Sequence, residues 1–353
     1  MHTKTSRHIL ELSVQEQKDF INSFDFVLSD CDGVVWLILS PLPNTGRTIN
    51  LLKSEGKKCI FVTNNSFNND EQFLEKFASV GTNLVKSEDV INPNKAIAMY
   101  LKKYKPGERV FSVNNHVANE VFRNNGIDIE TLDITDNLDP ASLARLIRPD
   151  HQVGAVVIDI NFNLNYAELA KAYQYLLDKD CELIMGGSDT HMPMSADMVT
   201  LGFVDFAKYL SKYSHKQPIA LGKPSPRFGD IIKEMYNITT PKRCLFIGDS
   251  LSSDIAFGTV CGFQTLLVLT GTSTKEEMLV AEENLRPDYY ADSLADFIEL
   301  FQNIKLTKEH TTLQDGVYIH IYPDNLNEDI NLKIKDNNHN PFFFHVSWCN
   351  NDF

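Results

Sequence analysis

The chain has 353 residues, 43% of them hydrophobic, with 33 basic and 47 acidic side chains and a net charge of −14. That length suits two domains of ~100–200 residues each, and the apolar content excludes wholesale disorder. The acidic balance argues against a nucleic-acid partner, which needs a basic surface, and it makes any anionic substrate dependent on locally placed cations.

The opening segment, Met1 to Arg7, leads into a short mixed helix rather than the apolar core of a signal peptide. No run of ~18 apolar residues occurs, so no membrane partner is expected. The six cysteines, Cys31, Cys59, Cys181, Cys244, Cys261 and Cys349, are scattered and form no C-x-x-C pair. They read as buried free thiols in a reducing, cytoplasmic compartment.

In chain order, β-branched apolar runs predict strands at 24–30, 57–63, 109–113, 153–160, 182–186, 217–222, 243–248 and 264–269. Between them, 70–79 and 166–177 place apolar residues at helical spacing. Alternating strands and helices predict an α/β fold with a doubly wound, Rossmann-like parallel sheet. The segments richest in chemistry flank the middle of the chain. The expected organisation is therefore a core built from 1–104 and 211–305, with an α/β cap, 105–210, inserted in it. The remainder, 306–353, is rich in Asn and Asp and reads as a tail, either a loose hairpin or disorder, with no evident chemistry.

Four segments at strand ends carry chemistry. Asp30-Cys31-Asp32-Gly33 follows Phe26-Val27-Leu28 and puts two carboxylates two residues apart, able to hold a hard cation, attack as a nucleophile or move a proton. A pair of turn aspartates is the plainer reading of these residues alone. Thr63-Asn64-Asn65-Ser66 offers hydroxyl and amide groups suited to phosphate oxygens. Gly222-Lys223-Pro224 fixes a lysine between glycine and proline, where it can neutralise phosphate. Gly248-Asp249, with Asp254 further on, adds a second pair of acids; Asp254 begins an amphipathic helix, so helix capping is its ordinary role. In a doubly wound sheet these strand ends share one edge, where ligands bind.

The order and wording of the four segments resemble the haloacid dehalogenase superfamily of phosphotransferases. DCDGV-W, FVTNNS, GKPSP and LLVLTG resemble its large-cap subgroup of 4-nitrophenylphosphatases, phosphoglycolate or glycerol-3-phosphate phosphatases and pyridoxal phosphate phosphatases. The resemblance implies a Mg²⁺-dependent phosphatase of small phosphate esters that works through an aspartyl-phosphate. It implies Asp30 as nucleophile and metal ligand, and Asp32 as general acid and then base, with its main-chain carbonyl on the metal. It makes Asp249 a direct ligand and sets Asp254 behind it or on a metal-bound water. It implies that Thr63, Asn64 and Asn65 hold the phosphoryl oxygens, and that Lys223 binds phosphate and Asp30 together.

The family's specificity loop corresponds to Asp189-Thr190-His191-Met192-Pro193. Asp189, His191 and Met192 are thus expected to face the substrate. Met192 before the proline leans toward a small, non-aromatic ester such as phosphoglycolate or glycerol 3-phosphate; the adjacent His191 keeps pyridoxal phosphate as an alternative. A homodimer through the cap is implied by the resemblance only. A non-catalytic relative that keeps the fold to bind a partner is the remaining alternative, opposed by the presence of Asp30, Asp32, Lys223 and Asp249.

Overall fold

The computed structural model describes residues 5–37, 40–134, 138–149, 151–195, 198–309, 330–335 and 341–346. The chain divides into two compact units, Met1–Ile298 and Glu299–Phe353.

The first unit contains two parallel sheets. Seven strands form one of them, ordered Arg7–His8, Tyr289–Ala291, Gln264–Val268, Cys244–Gly248, Phe26–Ser29, Lys58–Val62, Val90–Ile91. Every pairing in it is parallel. Its order reverses between Phe26–Ser29 and Cys244–Gly248: from the former the chain proceeds to one side, and from the latter to the other. Open sheets bind ligands beyond the carboxyl ends of strands at such a switch point. The next residues in chain order are Asp30 and Asp249.

The second sheet has five parallel strands, ordered Ile219–Ala220, Glu182–Met185, Ala155–Ile158, Val110–Val113, Ile129–Glu130. Ile219–Ala220 lies beyond the expected cap boundary at 210, yet it pairs with Glu182–Met185 as an edge of this sheet. Its two residues carry no alternation that would assign them to either sheet.

Side-chain alternation explains how the sheets pack. On one face of the second sheet Val110, Val157 and Ile184 join a core that also holds Leu28, Ile60 and Phe246 of the first sheet. Ala96, Ile97 and Leu101 of helix Pro93–Tyr104 and Phe228 and Ile232 of helix Pro226–Met235 belong to the same core. On the opposite face Phe111, Val113, Val156, Ile158, Leu183 and Met185 pack with helices Tyr166–Leu176 and Val204–Ser214. Both faces are covered, as a parallel sheet requires.

Cys31, Cys59, Cys181, Cys244 and Cys261 are free and buried, while Cys349 lies outside the described residues. Among the described residues no helix is long and apolar enough to cross a membrane. The second unit contains an antiparallel pair, Ile330–Lys335 with Pro341–Val346, which includes the Phe342–Phe344 cluster. The cluster from Val317 to Ile321 lies outside the described residues.

Candidate active site

Asp30 is fixed by the sheet itself. Its N–H donates to the Ile247 carbonyl at 2.8 Å, extending the pairing of Phe26–Ser29 with Cys244–Gly248 by one rung. Its Oδ1 accepts the Cys31 N–H at 2.7 Å and Lys223 Nζ at 2.9 Å. Lys223 Nζ also meets Asp254 Oδ1 at 2.8 Å, with side-chain exposures of 1% and 0%. Asp254 does not take the ordinary capping role that its position allows. Ser250 takes that place, its side chain accepting the Ser253 N–H, and Leu251–Ile255 forms a wide π turn before helix Ala256–Cys261. The turn aims Asp254 inward, where Oδ2 accepts the N–H groups of Asp249 and Ser250, both at 3.1 Å.

Asp249 is nearly as buried, and its Oδ2 accepts the Thr272 N–H at 2.6 Å. Two glycines make room for it. A Cβ on Gly33, which has φ +85°, would lie 2.5 Å from the Asp249 carboxylate, and one on Gly271 would lie 2.1 Å from it. Carboxylate oxygens of Asp30, Asp249 and Asp254 all fall within 4.8 Å of one another.

Three acids and one lysine leave this buried cluster short of positive charge. Burial pushes the Asp30 carboxyl well above the usual carboxylate range, Lys223 opposes that, and Asp254 and Asp249 add to it. Burial, then Asp254, pushes Asp249 up to about 6, against the Thr272 N–H. Burial works against the Lys223 ammonium, but Asp254 and Asp30 outweigh it and raise its pKa. Closely spaced, electrostatically unbalanced oxygen donors suit a hard divalent cation, which takes a few carboxylates and keeps waters. A second acidic group, His8 with Asp292 and Asp296, does not suit one as well. Its His8 Nδ1 accepts the Leu10 N–H at 3.2 Å, which leaves Nε2 to carry the ring proton rather than a lone pair for a metal; Nε2 lies 3.6 Å from both carboxylates, beyond hydrogen-bond distance.

The Asp32 side chain stands apart from this cluster. Its Oδ1 accepts Trp36 Nε1–H at 3.0 Å and lies 3.9 Å from Lys76 Nζ. Thr63 is buried at the end of Lys58–Val62, and its hydroxyl oxygen accepts the Asn65 N–H at 3.0 Å. Asn65 Oδ1 in turn accepts the N–H groups of Phe67 and Asn68 at 3.1 and 3.2 Å. Asn64 is occupied differently. Its Oδ1 accepts the Lys223 N–H at 2.8 Å, and its Nδ2 donates to the Lys223 carbonyl at 3.2 Å and to Asp189 Oδ2 at 3.0 Å. Close approach at the neighbouring glycines permits this, since a Cβ on Gly222 would lie 3.0 Å from Asn64 Oδ1. Burial raises the Asp189 carboxyl, and the Asn64 hydrogen bond opposes the rise. The backbone of His191–Ser195 is a strand, but the side chains of His191 and Met192 lie outside the described residues.

The structure thus gathers Asp30, Lys223, Asp249 and Asp254 at one sheet edge and ties Asn64 and Asp189 to the lysine's backbone. Trp36 and Lys76, as partners of Asp32, were not anticipated. The W of DCDGV-W was the available signal for the first, and helical spacing beside buried Phe77 for the second.

Residues 27–128 match the family described as haloacid dehalogenase-like hydrolase, and residues 220–297 match a HAD-hydrolase-like family. A 4-nitrophenylphosphatase of Schizosaccharomyces pombe is 33% identical over 297 residues, which cover 81% of this chain and 97% of that protein. The chain belongs to the haloacid dehalogenase-like hydrolases. Phosphoglycolate phosphatase 2 of Arabidopsis thaliana is 30% identical over 298 residues, 83% of this chain and 98% of its own. Among solved structures, a p-nitrophenyl phosphatase from Archaeoglobus fulgidus superimposes with a TM-score of 0.67 at 26% identity, covering 78% of this chain and 99% of that one. As a member of this family, the chain is a phosphoric monoester hydrolase with a Rossmann-like α/β core, as its motifs led us to expect.

Proposed function

We propose that this hydrolase cleaves small phosphate monoesters with Mg²⁺ through an aspartyl-phosphate on Asp30, leaning to phosphoglycolate or glycerol 3-phosphate. The observation that carries the reading is the setting of Asp30: a strand-end carboxylate touching Lys223 and grouped with Asp249 and Asp254. Asp30, Asp249 and the main-chain carbonyl of Asp32 would hold the ion, with Asp254 behind them. Bound there, Mg²⁺ supplies positive charge that offsets repulsion between carboxylate and phosphate.

The chain's own groups divide the remaining work. An Asp30 oxygen attacks phosphorus, the bond from phosphorus to the leaving oxygen breaks, and Asp32 gives that oxygen a proton. Water then attacks the phosphorus, Asp32 takes its proton, and the bond from phosphorus to Asp30 breaks. Lys223 orients Asp30 and meets the phosphoryl group, helped by Thr63 and the Asn64-Asn65 segment. The stretch from Asp189 to Pro193, which runs into the separate antiparallel pair His191–Ser195 with Met198–Leu201, selects the ester together with segments of the second sheet.

The test is turnover of phosphoglycolate, glycerol 3-phosphate, pyridoxal phosphate and 4-nitrophenyl phosphate with Mg²⁺, alongside acid-quench trapping of labelled phosphate on Asp30. Label on the wild type and none on Asp30→Asn is expected. Hydrolysis without trapped label and with Asp30→Asn still active would reject the mechanism, and preference for pyridoxal phosphate would reject the substrate class.

A further inference from the structure

We infer that Trp36 and Lys76 are positioning residues for Asp32, holding its Oδ1 so that Oδ2 is the oxygen that exchanges a proton with the leaving group. The inference rests on the acid–base role proposed for Asp32.

The turn after the nucleophile brings Trp36 back to Asp32. Gly33 donates its N–H to the Trp36 carbonyl at 2.7 Å, and the Val35 N–H reaches the Cys31 carbonyl at 2.8 Å. Asp32 and Trp36 also form an isolated parallel bridge. Backbone and side chain of Trp36 are therefore both set against Asp32. An indole N–H can only donate, and here it donates to Asp32 Oδ1 at 3.0 Å.

The ring itself has little freedom. Trp36 is 2% exposed and meets Phe77 edge-on at 4.9 Å, and Phe77 meets Phe61 of strand Lys58–Val62 at 4.4 Å. Lys76 precedes Phe77 on helix Asp70–Ser79, which starts with an Asn69/Gln72 capping box. Its Nζ stands 4.8 Å from the Trp36 ring centroid and 3.9 Å from Asp32 Oδ1. The indole, held in a buried aromatic cluster, and the partly exposed ammonium beside it thus address one oxygen of Asp32. A carboxyl group whose Oδ1 accepts donors carries its own proton on Oδ2. Trp36 is the stronger holder, because its contact is shorter and its ring is buried, whereas the Lys76 side chain is 27% exposed.

Two esters of matched shape test this in the Mg²⁺-loaded full chain. In 4-nitrophenyl phosphate the leaving group departs without a proton, whereas the alcohol of 4-nitrobenzyl phosphate needs one. Trp36→Phe should lower kcat for the benzyl ester by about tenfold or more, with less than about threefold loss for the phenyl ester. Lys76→Met should shift the same ratio in the same direction by less, and Lys76→Arg should restore it. Equal losses for both esters, or a change in KM alone, would overturn the inference, because a purely structural role moves both together. Asp32→Asn separates the two failures. Selective loss in Asp32→Asn without selective loss in Trp36→Phe rejects the positioning role alone. Equal loss in Asp32→Asn rejects the acid role, and the positioning role with it.

Discussion

Lys223 Nζ stands 2.9 Å from Asp30 Oδ1, on a side chain that is only 1% exposed. The same ammonium meets Asp254 at 2.8 Å, so two acids share one buried cation. Removing one partner of a buried charge pair costs about 3–5 kcal/mol, because the charge left behind stays desolvated. Lys223→Met should therefore lower the urea-unfolding free energy by about that amount, as well as activity. A variant as stable as the wild type would show that the acids do not depend on the lysine.

Asp30, Asp249 and Asp254 should give the fold a metal-dependent stability. A ligand that binds only the native state contributes about 2.7 kcal/mol at a hundredfold excess over its Kd. Mg²⁺ should raise Tm and chelation should lower it, while Asp249→Asn should abolish the shift. Calorimetry of both proteins with Mg²⁺ and with EDTA checks this. An undiminished Mg²⁺ shift in Asp249→Asn would remove that residue from the site.

Asp159 gives a pH dependence away from the metal cluster. Burial pushes its carboxyl from an ordinary 3.8 up to about 7, with the nearby Ser66 hydroxyl opposing the rise and the Asp189 carboxylate adding to it. Between those two values the folded chain holds a proton that the unfolded chain has lost. Its contribution is therefore fully present below about pH 4 and falls as pH rises to about 7, at up to about 1.4 kcal/mol per pH unit. Asp159→Asn should flatten that slope in urea titrations at saturating Mg²⁺ and should be relatively more stable at pH 8. Parallel stability curves for the two proteins would contradict the burial argument.

Gly33→Ala tests the space around Asp249. The new Cβ would lie 2.5 Å from that carboxylate, at a φ of +85° that side chains rarely adopt. Loss of both turnover and the Mg²⁺-dependent Tm shift is expected. Retention of both would show that Asp249 can move without consequence.

Much of the site was legible because its residues follow strands. Apolar runs mark Phe26–Ser29, Lys58–Val62 and Cys244–Gly248, and parallel pairing then brings Asp30, Thr63 and Asp249 to one edge. Asp254 was harder to read: its spacing suggested a helix start, but a π turn rotates it onto Lys223. Chain order alone carries no signal for that rotation. The short strands Arg7–His8, Val90–Ile91 and Ile129–Glu130 were likewise missed, since two residues show no periodicity. Asn64 has the right composition for a phosphate loop. That its amide would be engaged by Lys223 and Asp189 depends on close passage at Gly187 and Gly222, which only the folded chain reveals.

Asn64 has a last consequence. Its side-chain amide meets the Lys223 N–H and C=O together, as one strand residue meets another, and reaches Asp189 as well. Three segments far apart in sequence thereby share a single fastening. An engineer who grafted another relative's Asp189 loop onto this chain would also be retuning the lysine that serves the nucleophile. The loop and the lysine therefore have to be exchanged as a set.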